Sequence, residues 1–368
     1  MLDLSRSMCE TPAMSRKKRG GLKDGEGENV SKRPVSLKEL AAHVGLSPST
    51  LSLVLNESPV ADSIPQATKD RIFEAARGLN YRPHFLARSL RTQRTHTLGV
   101  LVPEISGGYI SEVMNGIEEH LLKEGYFYIL ACHRHKPELL DEYPKLFRDR
   151  CVEGIIAVDT RCSRRMTLPV ASVSGHEDIE GVTNIVLNHT KAADLALEHL
   201  AGLGHRRIAF IKGQPFSSDT RVRWDSIREQ ARQLQIAVRP SLVTQLEGDS
   251  PSPEVGYLAA KRLLAASEPF TALFAFNDIS AIGAIRAFEE AGRRVPEDIS
   301  VIGFDDVDSA AFHNPALTTI RQPLWQMGKL AAEALLQRIA NGPDSPYPEL
   351  VTVEPELVVR RSTAPRKC

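Results

Sequence analysis

The sequence predicts a small all-α domain of helix-turn-helix type, followed by a larger α/β region built as two lobes on parallel sheets. Three observations carry this. Residues 35–79 hold three short helical patterns with capping residues at their starts. From Thr97 onward, strand-like apolar runs alternate with amphipathic helical patterns, the rhythm of βαβ units. That second region runs to roughly 270 residues, more than one ordinary domain, so two similar lobes are expected.

The whole-chain quantities agree with several domains and narrow the class. At 368 residues the chain exceeds a single ordinary core. Lys+Arg and Asp+Glu are both 46, a formal net charge of zero, so any nucleic-acid surface must be a local patch. One such stretch exists: from Ala75 to Pro103 there is no Asp or Glu, while Arg77, Arg82, Arg88, Arg91 and Arg94 fall inside it. The 5 cysteines are scattered without a CxxC pair, which fits a reducing cytosol rather than a disulfide framework. No apolar run is long enough for a membrane span, and the N-terminus lacks the apolar core of a secretory signal.

Residues 1–34 are polar and Gly-rich, with a basic run Arg16-Lys-Lys-Arg19, and are expected to form a disordered tail. Ser36-Leu-Lys-Glu39 has the spacing of a capping box, and Leu37, Leu40, Ala41 and Val44 follow at helical intervals. Gly45 supplies a turn. Ser47 is a second N-cap, with Pro48 at the first helical position, where its missing N–H is harmless. This helix is expected to reach about Asn56, and a third to start near Pro65.

In the α/β region a buried strand is predicted over Thr97–Pro103 and a helix from about Ile110 to Glu124. Further strands are expected at Tyr126–Ala131, Gly154–Val158, Val170–Val173, Arg207–Ile211, Ala272–Phe276 and Ile299–Phe304. Helical patterns cover Lys191–Leu203, Arg223–Leu234, Val255–Ala265 and Ala281–Ala291.

A series of phrases in fixed order now carries a resemblance. They are Thr50-Leu-Ser-Leu-Val-Leu-Asn56, Tyr81-Arg-Pro83, Ala87-Arg-Ser-Leu90, Gly204-His-Arg-Arg-Ile-Ala-Phe210, Asn277-Asp278, Val295-Pro-Glu-Asp298, Gly303-Phe-Asp-Asp306 and Leu317-Thr-Thr-Ile-Arg321. With them the chain resembles the lactose-repressor/galactose-repressor (LacI/GalR) family of bacterial transcriptional regulators over about residues 35–363. The resemblance implies four segments: a tail 1–34, a DNA-binding domain 35–84, a hinge helix and linker 85–96, and an effector-binding and dimerisation domain 97–368. The last would resemble the two-lobed periplasmic binding proteins, with lobe one about 97–188 plus 322–350 and lobe two about 189–321 plus 351–368.

A helix-turn-helix lays its second helix in the major groove. The candidate DNA contacts there are Ser47, Pro48, Ser49, Thr50, Ser52, Leu53 and Asn56, with Ser36, Leu37 and Tyr81 also expected in the DNA-binding domain and Arg88, Leu90 and Arg91 in the hinge. The hydroxyls suit phosphates or base edges, and the Asn56 amide can serve either. Where the family usually carries Arg, this chain has Leu53, which cannot grip guanine; it packs on a thymine methyl or faces away. The hinge helix Phe85–Arg91 is too short to be stable alone. By resemblance it forms when two copies meet on DNA, with Leu90 wedged into the minor groove and Arg88 and Arg91 on phosphates.

For the effector, ligands of open α/β sheets bind beyond the carboxyl ends of the strands. Tyr109 could stack on a sugar face, Arg223 could grip hydroxyls or a carboxylate, Asn277 could donate and accept, and Asp305 could accept from two hydroxyls. Asp278 is read as the cap of the following helix. Two departures from the family pattern are Asn188 for a common Asp, and Trp224 and Ser226 after the arginine; Trp224 either fills the cleft or packs outside it. The effector class is open between a sugar, a sugar phosphate and a purine, with a phosphorylated carrier protein as a further option.

Cys132-His-Arg-His135 lacks a partner pair at zinc spacing and reads as an exposed strand end. No nucleophile elbow, phosphate loop or dinucleotide fingerprint is present. No catalysis, metal or cofactor is therefore expected. The expected partners are double-stranded operator DNA, a small-molecule effector and a second copy of the chain, as a dimer or tetramer, in the cytoplasm. The rival reading, a solute-binding protein of a transporter, needs an export signal and no DNA reader.

Overall fold

The computed structural model describes residues 35–56, 58–81, 89, 94–105, 108–162, 167–249, 252–266, 268–342 and 347–367. It divides into two compact units, up to Thr92 and from Gln93 onward.

The first unit is helical: α1 (Leu37–Val44), α2 (Pro48–Leu55), a 3-10 turn at Pro59–Ser63, and α3 (Gln66–Gly78). The capping box at Ser36 is formed in both directions: Glu39 N donates to Ser36 Oγ, and Ser36 N donates to the Glu39 carboxylate at 2.6 Å. Gly45 takes the left-handed conformation, φ 70°, and returns its N–H to the carbonyls of Ala41 and Ala42, ending α1. The three helices bury Leu40, Ala41, Leu51, Val54, Ala61, Ile72 and Ala76 as one small core.

The second unit carries two six-stranded sheets of the same design. The first uses β1 (Thr97–Val102), β2 (Phe127–Cys132), β3 (Ile155–Val158), β4 (Val170–Val173), β5 (Val182–Leu187) and β11 (Leu350–Val353), in the order β2-β1-β3-β4-β5-β11. The second uses β6 (Ile208–Lys212), β7 (Val243–Gln245), β8 (Ala272–Phe274), β9 (Ser300–Asp305), β10 (Thr318–Arg321) and β12 (Glu356–Val358), in the order β7-β6-β8-β9-β10-β12. All pairings are parallel except that of β12 with β10. The helices are α4 (Tyr109–Lys123), α5 (Pro137–Asp149), α6 (His189–Gly202), α7 (Asp219–Gln233), α8 (Pro253–Ala265), α9 (Asp278–Glu290), the short α10 (Asp308–Phe312) and α11 (Leu324–Asn341). Strands β1, β3, β4 and β5 are buried at every position, as covered parallel strands must be.

The helical cover is tight. A Cβ on Gly116 of α4 would lie 1.9 Å from the Trp325 carbonyl oxygen, and one on Gly328 of α11 would lie 2.0 Å from the Val113 carbonyl oxygen. The two helices therefore cross with backbone against backbone, which only glycine permits.

The chain passes between the lobes three times: after β5, after β10 and after β11. The first and third crossings are tied together, since Asn188 N donates to the Val353 carbonyl at 2.9 Å and Asn188 Nδ2 reaches the Glu354 carboxylate at 3.1 and 3.3 Å. Asn188 also caps α6, so the residue standing in place of the common Asp does structural work at the hinge.

Several expectations need correction. Strand β11 extends lobe one to Val353, three residues past the predicted boundary at 350. Arg94–His96, expected in the linker, are held by the second unit: Arg94 Nε, Thr95 N and His96 N all donate to Glu153. Arg94 is thus spent on an ion pair rather than free for phosphate. Helices α5, α10 and α11 and strands β5, β7, β10, β11 and β12 lie outside the elements expected from sequence. Of the hinge helix only Ser89 lies within the described residues; the readings of Arg88, Leu90 and Arg91 fall outside them.

Candidate effector cleft and DNA-reading helix

The two lobes meet at the carboxyl ends of their strands, where the loops after β1, β2, β3, β6 and β8 and the end of β9 enclose a cavity of about 90 Å³. That is small beside the roughly 300–1,000 Å³ usual for ligand sites, because the lobes already touch. His135 of lobe one stacks on Phe216 of lobe two with ring centroids 3.6 Å apart. Asp159, just past β3, accepts from Ser218 N at 3.0 Å and from Ser218 Oγ. His176, in the loop after β4, meets Asp219 at 2.6 Å.

Helix α7 starts at Asp219, one turn before its expected start, so Arg223 lies inside its first turns. Asp219 Oδ2 accepts from Arg223 Nη2 at 2.9 Å, while Oδ1 faces Nε2 of His176 and, at 3.3 Å, Nε2 of His189. The guanidinium lies 3.7 Å from the Phe304 ring centroid and 4.4 Å from that of Phe276, and Nη1 donates to the Phe276 carbonyl at 2.5 Å. Arg223 is 4% exposed. Its Nε has no partner in the protein, and the side chain lines the cavity.

Burial by itself would raise the Asp219 carboxyl; His189, His176 and Arg223 outweigh it and hold the group well below the usual carboxylate range. Burial lowers His189, against the pull of Asp219, which its Nε2 faces. The opposite holds for the other two acids. Burial, with repulsion from Asp219, raises Asp159 to about 6, and burial raises Asp305 to about 7. His176, His189 and Asp219 place three ligand atoms within 4.8 Å of one another. With Asp219 already shared by two imidazoles and a guanidinium, they form a closed hydrogen-bond cluster, and Arg223 beside them opposes a further cation.

Of the four residues expected at the effector, all line the cavity. Tyr109 donates to Ser174 Oγ at 3.0 Å, and burial raises its phenol well above the ordinary value. Asn277 does not end a strand: β8 stops at Phe274, and Asn277 is the N-cap of α9, its Oδ1 accepting from Ser280 N at 2.9 Å. Asp278 is therefore not the cap. It is buried behind the site, where Val307 N donates to it at 2.9 Å and Thr319 Oγ1 at 2.5 Å, fixing the loop that carries Asp305. Asp305 itself sits at φ 106°, a strained setting for a non-glycine residue, and accepts from Gln322 Nε2 at 2.6 Å.

Trp224 packs outside the cleft, edge-on to Phe210 with Lys212 over its face. The run Cys132–His135 is not an exposed strand end: His133 is buried against Thr160 and held down at about 4 by burial, and His135 lines the cavity. Asp159, Asp219, His176, Phe216 and Phe276 were missed from sequence. Asp159 had the same signal as Asp305, an acid directly after an apolar strand, and Asp219 stands at helical spacing before Arg223. His176 carried no signal.

In the first unit, α2 presents Pro48 and Ser49 exposed at its start, beside Ser47. Ser47 Oγ accepts from Thr50 N at 3.1 Å and meets Thr50 Oγ1 at 2.8 Å, so two of the expected contacts are shared with the cap. Asn56 folds back, donating to the Ser52 carbonyl at 2.6 Å. Leu53, Leu37 and Tyr81 are half-buried against the helical core.

Residues 36–84 match the model of bacterial regulatory proteins of the lacI family, and residues 197–363 match a periplasmic binding protein-like domain. The HTH-type transcriptional repressor PurR of Haemophilus influenzae is 31% identical over 338 residues, covering 89% of this chain and 98% of its own. The chain belongs to the lacI family. PurR of Aliivibrio fischeri is 32% identical over 341 residues, covering 90% of this chain and 99% of its own. A lac repressor dimer bound to operator and the anti-inducer ONPF superposes with a TM-score of 0.79 at 26% identity, over 90% of this chain and 100% of that one. A lacI-family regulator from Enterococcus faecium with bound ribose gives 0.63 at 30% identity, over 74% and 100%. Like its lacI-family relatives, the chain is a DNA-binding regulator with a small-molecule effector, and among the described residues no helix is long and apolar enough to cross a membrane.

Proposed function

We propose that this regulator represses transcription as a homodimer on a palindromic operator in the cytoplasm, and that a sugar-sized, hydroxylated effector held between its lobes sets its affinity for that operator. The observation that carries the effector reading is Arg223. A guanidinium pressed between Phe276 and Phe304, lining an interlobe cavity with an unpartnered Nε, is built to receive an oxygen acceptor. Asp305, Tyr109 and Asn277 stand with it, and Asp159 joins the set. On the DNA side, Ser49, Ser52 and Leu53 of α2 would read base edges, while Leu90 of the hinge would wedge the minor groove with Arg88 and Arg91 on phosphates.

Effector binding and lobe contact share the same residues, so the ligand must alter the lobe arrangement, and with it the spacing of two DNA-reading heads. The coupling is reciprocal: the effector changes operator affinity by the factor by which operator changes effector affinity. Two variants test the two halves. Leu90→Ala should weaken operator binding and leave effector binding intact. Arg223→Ala should abolish the response to effector; a response that survives Arg223→Ala removes the cleft from the reading.

A further inference from the structure

The cavity is acidic well beyond what a neutral ligand requires. Its wall includes four carboxyl groups, Glu104, Asp159, Asp219 and Asp305, against a single guanidinium, Arg223. That guanidinium is already committed to Asp219 and the Phe276 carbonyl. Among the described residues, no cation lies within 4.0 Å of Asp159 or Asp305. Asp159 has only the serine donors of Ser217 and Ser218, and Asp305 only the Gln322 amide. His135 adds no charge, since burial lowers its pKa, and its buried Nε2 has no partner. At the rim Glu104 feels Arg134 and Asp249, which act on it in opposite senses.

Aromatic faces accompany the acids: Tyr109, Phe216 and Phe276 line the same space. Acids with aromatic rings around a small cavity form the wall that a compact organic cation fits, through charge-assisted hydrogen bonds and cation–π attraction. The independent pointer to a ligand is Arg223, a buried side chain that lines the cavity and has one guanidinium nitrogen, Nε, without an acceptor. Gln322 Oε1, also buried beside Asp305, is an acceptor without a donor.

Resting on the effector reading above, we propose that the effector carries a protonated amine on a hydroxylated, sugar-like frame, its ammonium directed at the Asp159 and Asp305 carboxylates and a hydroxyl oxygen at Arg223 Nε. Anionic ligands, sugar phosphates included, are disfavoured by the same wall, because each added negative charge would face Asp159 and Asp305, whose own ionisation burial already opposes and, among charges, only Arg223 offsets. Burial leaves both acids half-inclined to hold their protons, Asp159 at about 6 and Asp305 at about 7. A bound ammonium would ionise both, so its binding releases protons.

The test is calorimetric titration of the full chain with matched probes: glucosamine, glucose, N-acetylglucosamine and glucose 6-phosphate, and the same set on the galactose frame. The expected result is that an amino sugar binds roughly tenfold or more tightly than its hydroxyl and N-acetyl counterparts. That preference should disappear in Asp305→Asn and in Asp159→Asn, and the amine's affinity should rise between about pH 5.5 and about pH 7.5 as the two acids ionise. Tighter binding of a neutral or phosphorylated probe overturns the amine while leaving the effector cleft in place, provided Arg223→Ala abolishes it. A preference that persists in Asp305→Asn, or an equal response to calcium chloride alone, also overturns it. If none of the probes binds, the amine proposal falls. The cleft reading falls separately, only if Arg223→Ala leaves the operator response to an effector unchanged.

Discussion

Asp219 and Arg223 lie one helical turn apart on α7, and both are buried, the carboxylate accepting from the guanidinium at 2.9 Å. This pair is the pivot of the cleft, since Asp219 also meets His176 of the opposite lobe. Asp219→Ala would leave a buried guanidinium without its counter-ion. Breaking one partner of such a pair costs about 3–5 kcal/mol. Urea unfolding of the full chain should show that loss in the transition of the effector domain; an unchanged midpoint would show that the pair contributes little.

The pH dependence of stability follows from Asp305 and Asp159. Both have folded-state values raised by burial, to about 7 and about 6, above the roughly 3.9 of an unfolded Asp. Between those values the folded chain holds more protons than the unfolded one, so these groups make stability fall as pH rises from about 4 to about 7. Asp219 works the other way: its carboxyl is depressed, and its contribution is lost only as the solution turns strongly acid. Asp305→Asn keeps an acceptor for Gln322 and removes the titration. Its melting temperature should therefore decline less than the parent's over that window, and parallel curves would refute the assignment.

The crossing of α4 and α11 gives a packing prediction. Gly116→Ala places a methyl 1.9 Å from the Trp325 carbonyl oxygen, so the helices must separate. Overpacking of this kind costs about 1–3 kcal/mol. Gly328→Ala demands the same separation from the other side, 2.0 Å from the Val113 carbonyl oxygen. The double variant should then cost less than the sum of the singles, which thermal melts of the three variants can check.

What the sequence revealed follows from where strong local signals lie. The capping box Ser36–Glu39, the Ser47-Pro48 start and largely apolar strands such as Thr97–Val102 are written in adjacent residues, and all are legible. Edge strands β7, β11 and β12 span three or four residues, too short for a period to register. Arg223 and Asp305 were readable through the family pattern and the strand-end rule. The acid excess of the cavity was not, because Glu104, Asp159 and Asp219 come from separate loops that only the fold brings together. Asp278 was misassigned because either Asn277 or Asp278 can chemically cap a helix, and the backbone decided for Asn277.

Leu53 offers a specificity test in the DNA-reading unit. It is half-buried against the helical core rather than free in solution. An arginine there could extend past the core to the O6 and N7 of guanine, an interaction that discriminates bases by about 1–3 kcal/mol. Leu53→Arg should shift the preferred half-site toward guanine at one position, read by comparing sequences selected by the two proteins. Identical selected sites would place residue 53 away from the bases.

Twofold-symmetric DNA reading governed by the interlobe cleft is tested most directly by selecting bound sequences from a random double-stranded pool with the full chain, with and without a ligand that binds the cleft. The expected result is enrichment of an inverted repeat whose retention changes when the ligand is added, and no such change for Arg223→Ala. Failure to enrich any inverted repeat, or a ligand response identical in Arg223→Ala, would contradict it.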